Sequence, residues 1–123
     1  MPKALVVDDS RAVRMILSRT LRELGFQVWE ASDGVTALES LRRCSPVDLV
    51  MADWNMPEMD GLELLKRLRA DGRYKDVKIL MVTTESEVEQ VSAALEAGAN
   101  EYVMKPFTKE ILVDKLRLAA VEV

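Results

Sequence analysis

The sequence predicts an α/β domain built on a doubly wound, parallel sheet, and three observations predict it. Short apolar runs alternate with stretches of helical periodicity along the whole chain. Five such β-α units follow one another without repeats, linkers or low-complexity tracts. The 123 residues are 49% apolar, which suffices for one core and is too little for two, so residues 1–123 read as a single domain. Strands separated by helices run parallel, and right-handed crossovers place helices on both faces of the sheet.

Each element has its own signal. Leu5-Val6-Val7 reads as a buried strand that ends at Asp8-Asp9. Val13, Ile16, Leu17, Thr20, Leu21 and Leu24 recur at helical spacing until Gly25 stops the first helix. Gln27 to Ala31 has the β-branched and aromatic character of a second strand. Ser32-Asp33-Gly34 is a turn and cap, followed by Val35, Leu38 and Leu41 on helix two. Pro46 breaks the chain before a third strand, Asp48 to Ala52, which ends at Asp53. After the loop from Met56 to Gly61, Leu62, Leu65 and Leu68 line helix three, and Asp71-Gly72 opens another loop. Lys78 to Val82 is strand four, ending at Thr83. Val88, Val91 and Leu95 mark helix four, which Gly98 ends. Glu101 to Met104 is a short strand five ending at Lys105-Pro106, and Ile111, Leu112 and Leu116 carry the last helix.

Composition removes several functions. The net charge of −4 argues against direct binding of nucleic acid, which needs a basic field. With no histidine, Ser-His-Asp and Cys-His catalysis and imidazole metal ligation drop out. A lone Cys44 allows no internal disulfide and suits a reducing compartment; without a histidine to activate it, it reads as a buried thiol. Asp8-Asp9 cuts the first apolar run short of a signal sequence, and no later run is long enough to span a membrane. The expectation is a cytoplasmic protein without membrane insertion.

In doubly wound folds, functional groups gather outside the carboxyl ends of the strands. Here strands one, three, four and five end in Asp8-Asp9, Asp53, Thr83 and Lys105. Clustered carboxylates repel one another, which raises their pKa values unless a cation sits among them. Mg²⁺ suits such a cluster, because it takes a few hard oxygen ligands and keeps several waters. Asp53 could then attack phosphorus as a carboxylate nucleophile, while Thr83 donates a hydrogen bond to one phosphoryl oxygen and Lys105 neutralises another.

Four stretches complete this pattern: Leu5-Val6-Val7-Asp8-Asp9-Ser10, Asp53-Trp54-Asn55-Met56-Pro57-Glu58-Met59-Asp60-Gly61, Val82-Thr83-Thr84 and Lys105-Pro106-Phe107. With them the chain resembles, over essentially its whole length, the receiver domains of bacterial response regulators, in particular the stand-alone chemotaxis (CheY-like) type. The resemblance implies a flavodoxin-like (βα)5 fold with strand order 2-1-3-4-5. It makes Asp53 the phosphoacceptor of a two-component system, supplied by a histidine kinase or a histidine phosphotransfer domain. Self-phosphorylation from small phosphodonors and self-dephosphorylation are then its only chemistry, so it is no enzyme in the usual sense. The resemblance also implies Mg²⁺ held by Asp9, by Asp8 mainly through water, by Asp53 and by the Asn55 carbonyl. Thr83 becomes a switch hydroxyl and Tyr102 an aromatic switch, and the bond before Pro106 is expected to be cis. The downstream protein target is expected on the face of helix four, strand five and helix five. Output is expected in chemotaxis or motility, with a phosphorelay intermediate or a phosphate sink as alternatives, from a monomer or a weak dimer formed on phosphorylation.

Plainer readings stand beside these. Asp8-Asp9 could merely cap helix one, and Asp60-Gly61 reads as turn and cap rather than ligand. Trp54 is expected to be a partly exposed neighbour of the site, and Tyr102 by itself would more often be packing. Arg11, Arg14, Arg19 and Arg22 on helix one suit docking of a kinase domain or a solvated face. Glu85, Glu87 and Glu89 give helix four an acidic start that departs from the familiar chemotaxis pattern. A flavin-binding flavodoxin is the rival from another class, but Asp8-Asp9 would repel a phosphate in the loop after strand one. A dehalogenase-type phosphatase would need an Asp-x-Asp arrangement after that strand, and a dinucleotide-binding domain a Gly-x-Gly-x-x-Gly turn; both are absent.

Overall fold

The computed structural model describes residues 1–44, 46–56, 58–84 and 90–123. Its elements run β1 (Lys3–Val7), α1 (Arg11–Glu23), β2 (Gln27–Ala31), α2 (Gly34–Cys44), β3 (Leu49–Asp53), α3 (Gly61–Ala70), a 3-10 turn (Gly72–Tyr74), β4 (Lys78–Thr83), α4 (Val91–Glu96), β5 (Glu101–Met104) and α5 (Lys109–Leu118). All strand pairs are parallel, in the order β2-β1-β3-β4-β5. This is the flavodoxin-like doubly wound arrangement.

The register brings the strand ends level at one edge of the sheet. Val7 pairs with Ala31 and with Ala52, Asp53 with Val82, and Thr83 with Met104. The residues that follow these positions must therefore meet.

Alternation along the strands sorts the core into two layers. Leu5, Val7, Val50, Ala52, Ile79 and Met81 pack with Leu41, Leu64, Leu65 and Leu68 of α2 and α3. Ala4, Val6, Leu49, Met51, Leu80, Val82 and Val103 pack with Leu17, Leu21, Leu112 and Leu116 of α1 and α5. Fully burying each of these large side chains contributes roughly 1.5–3 kcal/mol. The first helix stops where Gly25 takes a φ of +98°, a conformation that favours glycine.

Several helical residues expected to face inward do not. Ile16, Val35, Leu95 and Ile111 are exposed. In α1 the sheet receives Leu17, Ser18 and Leu21, and Ile16 sits about 100° round the helix from Leu17. In α2 and α4 the buried positions include the small residues Gly34, Ala37 and Ala94, with Gly34 set against Met59. Helix four starts at Val91 among the described residues; Val88 and the acidic run Glu85, Glu87 and Glu89 lie outside them, as does Pro57. Asp71 caps a short 3-10 turn where an open loop was expected. Cys44 is buried, and burial raises its thiol pKa. No helix among the described residues is long and apolar enough to cross a membrane.

Candidate functional site

Asp8 follows the last residue of β1 and is fully buried, Asp53 ends β3 and is 5% exposed, and Asp9 is exposed beside them. Each offers one carboxylate oxygen to a cluster whose members all lie within 4.8 Å of one another. Lys105, just past β5, reaches into this cluster. Its Nζ donates to Asp53 Oδ1 at 3.1 Å and stands 3.2 Å from Asp8 Oδ2, a contact without the alignment of a hydrogen bond. The Lys105 N–H donates to the Thr83 carbonyl at 2.7 Å, which ties the lysine to the end of β4. The peptide bond between Lys105 and Pro106 is cis.

Asp8 is held on every side. Its N–H donates to Ala31 O at 3.1 Å, its Oδ1 accepts from the Ser10 N–H at 2.8 Å, and its carbonyl accepts from Arg14 Nη1 at 2.7 Å. The reading of Asp8-Asp9 as helix caps fails: Ser10 is the N-cap of α1, its hydroxyl accepting from the Val13 N–H at 3.3 Å. Asp60, by contrast, does cap α3, accepting from the Glu63 N–H at 2.9 Å.

Gly61 matters for a reason its sequence context does not show. A Cβ there would collide with the Asp53 carbonyl oxygen, and the Gly61 N–H donates to Trp54 O at 3.0 Å. α3 thereby packs directly on the backbone that carries Asp53. Trp54 is not the partly exposed neighbour expected; it is 7% exposed and packs in the core layer of α2 and α3. Its backbone explains this, since the Trp54 N–H still bonds Val82 O at 3.0 Å and keeps the residue against the sheet. Asn55 is exposed, two residues past Asp53.

Thr83 is fully buried, and its Oγ1 finds no hydrogen-bond partner among the described residues. Alternation continues Ile79 and Met81 into Thr83, so its side chain belongs to the layer of α2 and α3. Tyr102 pairs with Met81 and packs, half-buried, in that same layer. Lys115 of α5 places Nζ 4.0 Å from the centre of the Tyr102 ring and 3.6 Å from Glu101 Oε1. Tyr102 is thus set apart from the acidic cluster, two residues back from the strand ends.

Electrostatics follow the geometry. Burial pushes the Asp53 carboxyl up to about 6; the hydrogen bond from Lys105 opposes this, and the charges of Asp8 and Asp9 add to it. Burial presses the Lys105 ammonium down, but the hydrogen bond and charge of Asp53, together with Asp8, outweigh it and leave its pKa above the usual value. One ammonium against three carboxylates leaves the cluster two charges short of neutrality, the deficit a divalent cation fills. The donors are all hard oxygens, which suits Mg²⁺. Bonds of about 2.1 Å place its ligands at most ~4.2 Å apart, so a small contraction of the cluster would seat it. The residues present fit the ion.

Residues 4–117 match the family model described as the response regulator receiver domain. The chain belongs to that family. Among curated relatives of this receiver, a protein named chemotaxis protein CheY1 from Helicobacter pylori is 48% identical over 94% of both chains. A chemotaxis protein CheY homolog from Campylobacter jejuni is 50% identical, covering 93% of this chain and 88% of its own. Among solved structures, the chemotaxis response regulator CheY4 of Vibrio cholerae superposes with a TM-score of 0.88 at 38% identity, over 97% of this receiver and 98% of that chain. The receiver is therefore of the CheY-like type, a signalling module that works through phosphorylation rather than an enzyme with a metabolite substrate. Receivers of this family bind Mg²⁺ in an acidic pocket, and Asp8, Asp9 and Asp53 form such a cluster here.

Proposed function

We propose that this receiver is a phosphorylation-dependent switch in which Asp53 accepts a phosphoryl group from a histidine kinase or a histidine phosphotransfer domain. The observation that carries the reading is a cluster of three carboxylates, Asp8, Asp9 and the nearly buried Asp53, with Lys105 ion-paired to Asp8 and Asp53. With its pKa near 6, Asp53 is mostly ionised at neutral pH and ready as a nucleophile. An Asp53 oxygen attacks phosphorus, the bond to the donor nitrogen breaks, and the imidazole leaves with that electron pair. Asp8, Asp9, Asp53 and the Asn55 carbonyl would hold Mg²⁺, which supplies charge neutralisation for the incoming phosphoryl oxygens. Lys105 already touches Asp53 Oδ1 and would shift its hydrogen bond to the phosphoryl group. Thr83 carries a buried hydroxyl whose unmet hydrogen-bonding capacity suits a second donor.

Phosphorylation adds roughly 1.5–2 negative charges and new acceptor oxygens. Thr83 then moves toward them, Tyr102 rotates into the space it leaves, and the balance between two surfaces of α4, β5 and α5 shifts. Exposed Leu95, Met104 and Ile111, one from each of these elements, support that face as the one that meets a downstream protein. The names of the relatives support an output in chemotaxis.

The test uses intrinsic fluorescence. Trp54 adjoins Asp53, and half-buried Trp29 on β2 supplies a background. Mg²⁺ and then acetyl phosphate should each change the emission, and Asp53→Asn should abolish the second response. A wild-type protein that gains no acid-labile phosphate from acetyl phosphate with Mg²⁺ present would remove the reading.

A further inference from the structure

Two of the three clustered carboxylates, those of Asp8 and Asp9, branch from the two ends of one peptide unit. The atoms from the Asp8 Cα to the Asp9 Cα share a plane, so whatever fixes the Asp8 carbonyl fixes the roots of both side chains. That carbonyl is the acceptor of the 2.7 Å bond from Arg14 Nη1. The same guanidinium turns its Nε to Glu30 Oε1 at 3.1 Å, and Glu30 neighbours Ala31, whose carbonyl takes the Asp8 N–H. The second carboxylate oxygen of Glu30 faces Arg22 Nη2 at 3.8 Å, one further point of attachment on α1. Both ends of the Asp8 backbone are thus pinned to the end of β2, one directly and one through Arg14.

We infer that Arg14, oriented by Glu30, is a positioning residue for the Mg²⁺ site, setting the tilt of the Asp8–Asp9 peptide and hence the spacing of two ligand carboxylates. The inference rests on the receiver reading above and extends it to residues outside the acidic cluster. An arginine suits the task because two separate acceptors are addressed by two nitrogens of one rigid fork, where a lysine offers a single nitrogen on a flexible stem. The Arg14 side chain is 18% exposed, and its charge is met by Glu30, so the clamp adds little net positive potential to a site meant for a cation. Groups behind metal ligands commonly set affinity through orientation in this way.

The experiment separates positioning from folding and from catalysis. Mg²⁺ affinity is measured by tryptophan fluorescence titration and calorimetry on wild type, Arg14→Met and Arg14→Lys, with circular dichroism confirming that each is folded. Arg14→Met should weaken Mg²⁺ binding about tenfold. Its rate of phosphorylation by acetyl phosphate should fall at low Mg²⁺ and return to within about twofold of wild type at saturation, since Asp53, Thr83 and Lys105 are untouched. Arg14→Lys, which keeps the charge and loses the fork, should fall between the two. Wild-type Mg²⁺ affinity in folded Arg14→Met, or in folded Arg14→Lys should only that variant fold, overturns the clamp and leaves the receiver reading intact. A wild-type protein that binds no Mg²⁺ overturns both.

Discussion

Replacing Asp53 with asparagine should stabilise the metal-free protein at neutral pH. Burial and the charges of Asp8 and Asp9 hold the folded-state pKa of Asp53 near 6, against an ordinary 3.8 for the unfolded chain. At about 1.36 kcal/mol for each tenfold step in the proton equilibrium, that gap costs the folded state on the order of 3 kcal/mol once Asp53 is ionised. The sign follows from the folded pKa lying above the unfolded one. The penalty is absent below pH 3.8, grows as pH rises toward 6, and is complete above it. Asparagine has the shape of the neutral carboxyl and can still accept from Lys105 through its amide oxygen, so the variant escapes the penalty. The gain is an upper bound, yet even half of it is large beside a typical net stability of 5–15 kcal/mol. Urea unfolding in EDTA at pH 7.5 and at pH 4 measures it. The variant should be more stable at pH 7.5, and the two proteins should converge at pH 4. Saturating Mg²⁺ should narrow the gap at pH 7.5 by stabilising wild type, by about 2.7 kcal/mol at a hundredfold excess over its dissociation constant. A variant no more stable than wild type in EDTA, or a difference that persists undiminished at pH 4, would refute the reasoning.

Other perturbations follow from single contacts. Thr83→Val, close in shape, removes a buried hydroxyl without a partner among the described residues and should raise stability by about 1 kcal/mol in urea while reducing the Tyr102 response to phosphorylation. Gly61→Ala drives a methyl group into the Asp53 carbonyl and should cost about 1–3 kcal/mol, with altered emission from the adjoining Trp54. Arg69→Met strips donors from the carbonyls of Gly98, Tyr74 and Val77 and from Asn100 Oδ1, so it should cost about 3 kcal/mol and speed amide exchange around Ile79 and Asn100. Lys105→Met removes the only ammonium ion-paired to Asp53 among the described residues; Mg²⁺ should bind more tightly to it, while phosphorylation at saturating Mg²⁺ should slow.

The strands were legible because their signal is local. Gln27–Ala31 and Glu101–Met104 have the limits that β-branched and aromatic content and flanking turns indicate. The meeting of Asp8, Asp9, Asp53 and Lys105 was legible for a topological reason: parallel strands all end at the same edge. The helical faces were less so. Large apolar residues suggest the inward face, whereas α2 and α4 bury the small residues Gly34, Ala37 and Ala94 and leave Val35 and Leu95 outside. Trp54 was misplaced because a residue after a strand-end carboxylate is ordinarily wet, and only the packing of α3 on that backbone buries it. Arg14 was visible as one of four arginines on a helix. Nothing in spacing distinguishes the one whose acceptor is a backbone carbonyl, because every residue but its own helix neighbours offers one.

The two sides of the sheet divide the work between charge and shape. On the layer shared with α1 and α5, alternation continues Leu49 and Met51 into Asp53, where the carboxylates and Lys105 collect. On the other layer lie Thr83, with its idle hydroxyl, and Tyr102, braced by Lys115. The bond from the Lys105 N–H to the Thr83 carbonyl links the two layers directly. A phosphoryl group on Asp53 that draws on Lys105 and on the Thr83 hydroxyl would pull at both ends of that link. On the proposed switch that strain would fall on the end of β4 and on β5, the strand that carries Tyr102, and less on the Asp8 backbone, which is pinned to the end of β2. On the proposed reading, a site anchored at β1 and loosely satisfied at Thr83 would pass added charge toward β4 and β5 rather than back into β1.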